Sequence, residues 1–324
     1  MPRILTLSLN PTIDVSSEAD VVRPTHKTRT ENEAFEPGGG GINVARVVRE
    51  LGAEVEAVCL AGGASGVLLD ELLARIDLPR RMIHTGGNTR IALMVFERST
   101  GLEYRFIPSG PRITANEIEA CLAAIRDAEF DCLVASGSVP AGCEPDILVR
   151  VGAIAAERSV PFVLDSSNAG LTKTIGRTPI HLVKPSLNEF QAYVGRKLSG
   201  AAEVGAAALG LVDEGKADII SVTLGMDGAV VASREGAIRV VAPKVETRSA
   251  VGAGDSFVAG MTVALLEGRS IEDAALLGTA AGAAAALNPG TGVCALADIL
   301  RLYEALRVDT ACIERLQWRM ASSE

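Results

Sequence analysis

An α/β fold with a mostly parallel central sheet, helices on both its faces and a small β-sheet lid is predicted by three features of the sequence. From residue 117 onward, short apolar runs alternate with helical periods in a strand, loop, helix rhythm. The polar and glycine-bearing residues collect just after those runs, where open sheets place their sites. Residues 15–36 and 89–107 break the rhythm with irregular alternation and a hairpin signal, Ser99-Thr100-Gly101, and read as a lid inserted in the α/β core. No internal repeat or low-complexity linker divides the 324 residues, so one domain over 1–324 is expected.

Composition narrows the class. Aromatics are 3% and Gly is 33, which suits a glycine-turned core of Ala, Val, Leu and Ile and argues against stacking platforms for nucleic acid. The formal charge of −9 offers no general attraction to DNA or an anionic membrane, so an anionic ligand needs locally placed Arg, Lys and backbone N–H groups. Six cysteines without a CxxC and only three histidines speak against zinc, and favour reduced core thiols. The chain opens on MPRILTLSLNP with no leader pattern, and the alanine-rich run 274–287 is too short to span a bilayer. A cytoplasmic protein is expected.

Taken in order, Arg3–Leu9 is a strand stopped by Asn10-Pro11-Thr12, with Asp14 close behind as either a ligand-facing acid or a turn former. Gly38-Gly39-Gly40-Gly41 opens a helix running to about Leu51. Four glycines remove every side chain from a surface and suit close approach of a ligand to backbone, with Asn43 in the first turn. Glu54–Leu60 is a strand, and a helix follows to about Ile76. Arg90–Glu97 and Glu103–Phe106 are paired strands; their Arg90 and Arg105 join Lys27 and Arg29 as the basic residues of the lid. Each alone reads as solvated surface, and the four together as an anion grip.

Further on, helices are expected over Glu117–Ala128, Asp146–Glu157, Ala201–Glu214, Ile271–Leu287 and Ala297–Val308. Strands are expected over Cys132–Ser136, Pro161–Asp165, His181–Lys184 and Asp218–Thr223, and a hairpin over Ala229–Ala232 and Ala237–Val241. Val245–Met261 is the segment with most chemistry in it: a β-branched, polar run that reads as a strand or its edge, a Gly252-Ala253-Gly254 turn and a helix from Ser256 to Leu266. Glycines at such a junction aim backbone N–H groups at one point, and the helix N-terminus adds positive potential. Asp255 at the junction either caps the helix or supplies a base beside an anion; the residues alone leave both open.

Walker A, the dinucleotide fingerprint and a nucleophile-elbow serine are all missing. His26, His84 and His181 fall outside the glycine motifs. A carboxylate base, backbone N–H donors and lid cations remain, an inventory that suits phosphoryl transfer to a hydroxyl.

Two signatures carry a family resemblance: Pro37-Gly38-Gly39-Gly40-Gly41-Ile42-Asn43-Val44-Ala45-Arg46 in front, and Val251-Gly252-Ala253-Gly254-Asp255-Ser256-Phe257 behind. In this order and at this separation the chain resembles the PfkB (ribokinase-like) carbohydrate kinases, from Arg3 to about Val308, and among them the minor bacterial 6-phosphofructokinases. The resemblance implies a ribokinase-like three-layer sandwich with the lid pairing to a neighbour's lid in a homodimer. It implies Asp255 as base, with the amides of Gly252, Ala253 and Gly254 on the transferring phosphoryl group. Asp14, Gly39 and Asn43 would hold the sugar, and Lys27, Arg29, Arg90, Arg105 and Ser138 would complete the phosphosugar site. Lys184, Ser186 and Glu189 fall on the family's KPNxxE segment near ATP and Mg²⁺, with Glu189 acting on the metal indirectly. Thr223, Gly225 and Gly228 match its TLGxxG segment, and Asn288 lies near adenine. Ser186 stands where the family has Asn, which shortens the reach toward metal-bound water, and Gly292 where similar members often have Arg. Some relatives carry K⁺ near Ser249, Val251 and Gly290.

Gly40 stands where kinases of fructose 1-phosphate or tagatose 6-phosphate often carry Lys, so the resemblance points to fructose 6-phosphate as acceptor. A sugar-phosphate sensor without catalysis is the reading from another class, and Asp255 argues against it.

Overall fold

The computed structural model describes residues 2–144, 146–288, 290 and 292–316. Strand β1 (Arg3–Ser8) leads out to β2 (Thr12–Ala19) and β3 (Glu31–Gly38), and helix α1 (Gly40–Glu50) returns the chain to β4 (Glu54–Gly62). Helix α2 (Gly63–Arg75), β5 (Arg80–Thr85), β6 (Arg90–Glu97) and β7 (Leu102–Phe106) follow. Next come α3 (Ala115–Asp127), β8 (Cys132–Ser136), α4 (Ile147–Glu157) and β9 (Phe162–Asp165). The order continues with α5 (Asn168–Thr172), β10 (Leu182–Val183), α6 (Leu187–Val194), α7 (Gly200–Asp213) and β11 (Ile219–Thr223). Strands β12 (Ala229–Ser233) and β13 (Gly236–Val240), helices α8 (Ala253–Leu266), α9 (Ile271–Ala285) and α10 (Leu296–Val308), and β14 (Ile313–Leu316) complete it.

The main sheet runs β14-β13-β12-β11-β10-β9-β8-β1-β4-β5. Strands β11 through β5 in that order are parallel, and β12, β13 and β14 add antiparallel pairs at one edge. Alternation along the strands sorts side chains into two cores. Val55, Ala57, Cys59, Cys132 and Val134 face α1, α2, α8, α9 and α10. Val58, Leu60, Leu133 and Ala135 face the layer of α3, α4 and α7. This is the three-layer α/β sandwich. The small residues of α8 and α9 let the two helices approach closely: a Cβ on Gly260 would lie 2.8 Å from the Leu277 carbonyl oxygen. A second sheet, β3-β2-β6-β7, forms the lid.

Several elements differ from expectation. The β-branched run from Val245 to Ala250 is irregular, and α8 begins at Ala253 rather than Ser256, so Gly252 is its N-cap and Asp255 lies in its first turn. His84, expected in a connector, sits on the edge strand β5. Helices α5 and α6 and strand β14 were not expected. Strand β14 comes from the tail after Val308, where it pairs antiparallel with β13; Trp318 lies outside the described residues. The six cysteines are unpaired and five are buried. No helix among the described residues is long and apolar enough to cross a membrane.

Candidate active site

The carboxyl ends of β1, β8, β9, β10 and β11 lie side by side, and β1 is the point where chain order reverses: β4 follows on one side and β8 on the other. Open sheets form their ligand crevice at such a point. Asp255 is held over it by α8. Its Oδ2 accepts a hydrogen bond from Asn43 Nδ2 at 2.8 Å, and its Oδ1 one from Ser136 Oγ at 3.3 Å. Both partners come from other elements, α1 and β8, so the carboxyl is aimed across the crevice. Gly252 itself has φ 74, the left-handed conformation that lets the turn feed α8 so tightly.

The glycine run assembles this corner by packing. A Cβ on Gly40 would lie 2.3 Å from Ser136 Oγ, and one on Gly41 2.3 Å from the Leu7 carbonyl oxygen. On Gly38 it would meet Asp14 Oδ2 at 2.0 Å. The atoms that exclude side chains here belong to β1, β2 and β8, so these glycines bring protein to protein. Gly39, at φ 105, makes the turn into α1.

Two charges flank this carboxyl. Asp165, in register with Ser136 on the neighbouring strand, accepts from Ser136 Oγ at 3.1 Å and pairs with Lys184 Nζ at 3.1 Å. Lys184 is buried and lies beside Gly254. Burial raises the Asp255 carboxyl to about 7, the Asp165 charge adds to this, and Asn43, Lys184 and Ser136 oppose it. Asp255 still keeps part of its surface open to the crevice. Sequence reasoning did not single out Ser136 and Asp165; the signal available was that each ends an apolar strand at the site edge of the sheet.

Beyond Lys184, Ser186 and Glu189 form a capping box at the start of α6. Ser186 Oγ and N–H donate to Glu189 Oε2 at 2.7 and 2.8 Å. Thr223 pairs with Ser186 in a parallel bridge, which sets Gly225 and Gly228 of the following turn beside this cap. Asn288 donates to the Val293 carbonyl at 3.3 Å and closes its own loop.

On the lid side, Asp14 lies within β2, not in a turn, and burial raises its carboxyl to about 6 against Thr12 and the guanidinium groups of Arg90 and Arg46. Arg90 donates to the carbonyl oxygens of Asn10 at 2.8 Å, Pro11 at 3.4 Å and Pro108 at 3.2 Å, fastening two of the lid's attachments to the core. Arg105 stands opposite Met94, which stands opposite Ser16, so alternation places it on the same lid face as Asp14. Its recorded partner is Glu103 at 3.8 Å. Lys27 and Arg29 lie exposed in the connection between β2 and β3. Ser138 accepts from Asn10 Nδ2 at 3.0 Å, and Asn43 Oδ1 is buried with no hydrogen-bond partner among the described residues.

Residues 8–298 match the family model described as pfkB family carbohydrate kinase. The chain belongs to that family. Its chemistry is ATP-dependent phosphoryl transfer to a sugar phosphate. The chain is 42% identical over 305 residues to ATP-dependent 6-phosphofructokinase isozyme 2 of Mycobacterium tuberculosis, covering 94% of this chain and 89% of that protein. Its fold superposes with a TM-score of 0.91 on Escherichia coli phosphofructokinase-2 in complex with potassium, at 38% identity, covering 95% and 100% of the two chains. For the same E. coli protein in complex with fructose-6-phosphate the TM-score is 0.89 at 36% identity, with the same coverage. Against these family members the ribokinase-like sandwich and its lid stand as expected.

Proposed function

We propose that the protein transfers the γ-phosphoryl group of ATP to the 1-hydroxyl of fructose 6-phosphate, giving fructose 1,6-bisphosphate. The observation that carries this reading is Asp255: a carboxyl pinned on both oxygens at 2.8 and 3.3 Å, beside the first amides of α8, at the crevice of the sheet. Asp255 takes the hydroxyl proton, and the N–H groups of Gly252, Ala253 and Gly254 receive the charge that develops on the phosphoryl oxygens. Asp14 and the unpartnered Asn43 Oδ1 accept from sugar hydroxyls, with Gly39 and Ser138 beside them. Lys27, Arg29, Arg90 and Arg105 grip the far phosphate, and Lys184, Thr223, Gly225, Gly228 and Asn288 line the nucleotide.

Magnesium neutralises phosphate charge when bound. The described residues contain no group of three or more His, Cys, Asp or Glu able to hold a metal, which fits an ion carried mainly by phosphates and waters. Glu189, with Oε2 already engaged by Ser186, would act through water. We place K⁺ by Ser249 and Val251, where the Arg248 amide fastens the segment to the Ala286 carbonyl at 2.8 Å.

The test is ADP release with fructose 6-phosphate, fructose 1-phosphate and tagatose 6-phosphate at equal Mg·ATP. The highest kcat/KM is expected for fructose 6-phosphate. A higher value for another sugar reassigns the acceptor, and tight sugar binding with no ADP release converts the reading to a sensor. In the same assay Arg90→Ala is expected to raise the sugar KM by roughly 10- to 150-fold, about 1.5–3 kcal/mol for a lost charged hydrogen bond. An unchanged KM would confine Arg90 to its three carbonyls.

We place a homodimer contact on the outer face of the lid. Phe35, Val15, Leu93 and Phe106 stand in one cross-strand row, with Ile13 and Ile91 in the next, and Phe35, Leu93, Phe106 and Ile91 are exposed. An outward apolar row on a small sheet is covered most simply by its own copy. Sedimentation velocity should give a dimer for the native chain and a monomer for Leu93→Asp; a native monomer at micromolar concentration would refute the contact. A cytoplasmic location accords with six unpaired thiols.

A further inference from the structure

Ser136 has a geometry that no substrate contact explains. It is 4% exposed at the end of β8, and its Oγ lies 3.1 Å from Asp165 Oδ2 and 3.3 Å from Asp255 Oδ1. Another side of the hydroxyl is closed by α1, since a Cβ on Gly40 would come within 2.3 Å of it. A hydroxyl has one proton and two acceptor lone pairs, so it serves the two carboxylates in turn.

We propose that Ser136 is a positioning residue that turns its proton between the two acids: toward Asp255 while that group is a carboxylate, toward Asp165 once Asp255 has been protonated. The inference rests on Asp255 as the base. As the substrate oxygen bonds to the γ-phosphorus, the bond from that phosphorus to the β-phosphate oxygen breaks and ADP leaves; the substrate O–H bond breaks and an O–H bond forms on Asp255 Oδ1. The Asp255 O–H then turns to Ser136 Oγ as acceptor, and the Ser136 proton, never leaving its own oxygen, rotates to Asp165. No proton passes beyond Asp255, and the base has a partner at Oδ1 in both of its states.

The groups facing this hydroxyl fit the task. Lys184, following β10, pairs with Asp165 at 3.1 Å and holds its carboxyl in place beside the hydroxyl. Glu189 in α6 and Asp255 in α8 act on the same ammonium, and neutral Asn43 in α1 holds Asp255 Oδ2. With Asp255 ionised, Ser136 makes one hydrogen bond to the pair of acids. With Asp255 protonated it makes two, so a rotating Ser136 favours the protonated base, the reverse of the lowering that its donation to the carboxylate gives when the hydroxyl stays fixed.

That difference fixes the experiment. Ser136→Ala should leave the sugar KM and the thermal unfolding midpoint near native, lower kcat about 3- to 10-fold, and move the acid limb of kcat/KM to lower pH. Ser136→Cys, of similar volume and a weaker donor, should fall between. A serine that only donates to Asp255 predicts the opposite, a limb moved to higher pH; that result, or an unmoved limb with native kcat, overturns the proposal. Asp255→Asn separates the two readings. If it retains kcat, the base assignment fails; if it is inactive while the Ser136→Ala limb moves upward, the rotation alone fails.

Discussion

Asp255→Asn is expected to lower kcat by about 10²–10⁴-fold with little change in either KM, because asparagine keeps the shape and one acceptor oxygen but cannot accept the substrate proton. The base works only when ionised. Burial, then the neighbouring Asp165, raises its carboxyl to about 7. The sign follows directly: as pH falls through about 7, Asp255 is protonated and kcat/KM of the native enzyme declines, and above that pH it reaches a plateau. Steady-state rates across pH 5.5–9 check both parts. A variant with near-native kcat, or a native profile flat through pH 7, would remove Asp255 as base.

What could be read from the letters divides by how local the physics is. Glycine-rich turns into helices declare themselves over a few residues, so the openings of α1 and α8, with Asn43 and Asp255 in their first turns, were legible. The carboxyl's surroundings were not. Ser136 and Asp255 are 119 residues apart in sequence, and Ser136 meets Asp165 only through parallel register between β8 and β9. The packing role of the four glycines was not legible: each empties space for another backbone or side chain, which no single-chain pattern reveals. Strand propensity misled at Val245–Ala250, because β-branched residues form a strand only where an unpaired edge receives them. The open edge of β13 is taken instead by Ile313–Leu316, whose sequence IERL carries almost no strand signal of its own. Strand β5, Arg-Arg-Met-Ile-His-Thr, was missed because an edge position tolerates polar residues that a central strand would not.

Lys184→Met is expected to cost about 3–5 kcal/mol of stability, the range for removing one partner of a buried ion pair, and to abolish most activity as well. The Lys184 side chain is 7% exposed and Asp165 14%, so water replaces little of what is lost. Burial alone would pull the ammonium's pKa down; the carboxylates of Asp165, Asp255 and Glu189 together hold it above its ordinary value. Without it, Asp165 and Asp255 face each other through Ser136 with no compensating charge. Urea unfolding measures the cost, and a loss below about 1 kcal/mol would mean that the pair behaves as a solvated surface bridge. The double variant Lys184→Met with Asp165→Asn sharpens the point. Removing both charges relieves the unpaired carboxylate and should recover much of the stability, since a buried pair is weak evidence for stabilisation. The rate should stay low, because the cation beside Gly254 and the ionised acceptor for Ser136 are still absent. Recovery of stability without recovery of rate would assign this ion pair to the chemistry of the crevice rather than to holding the sheet together.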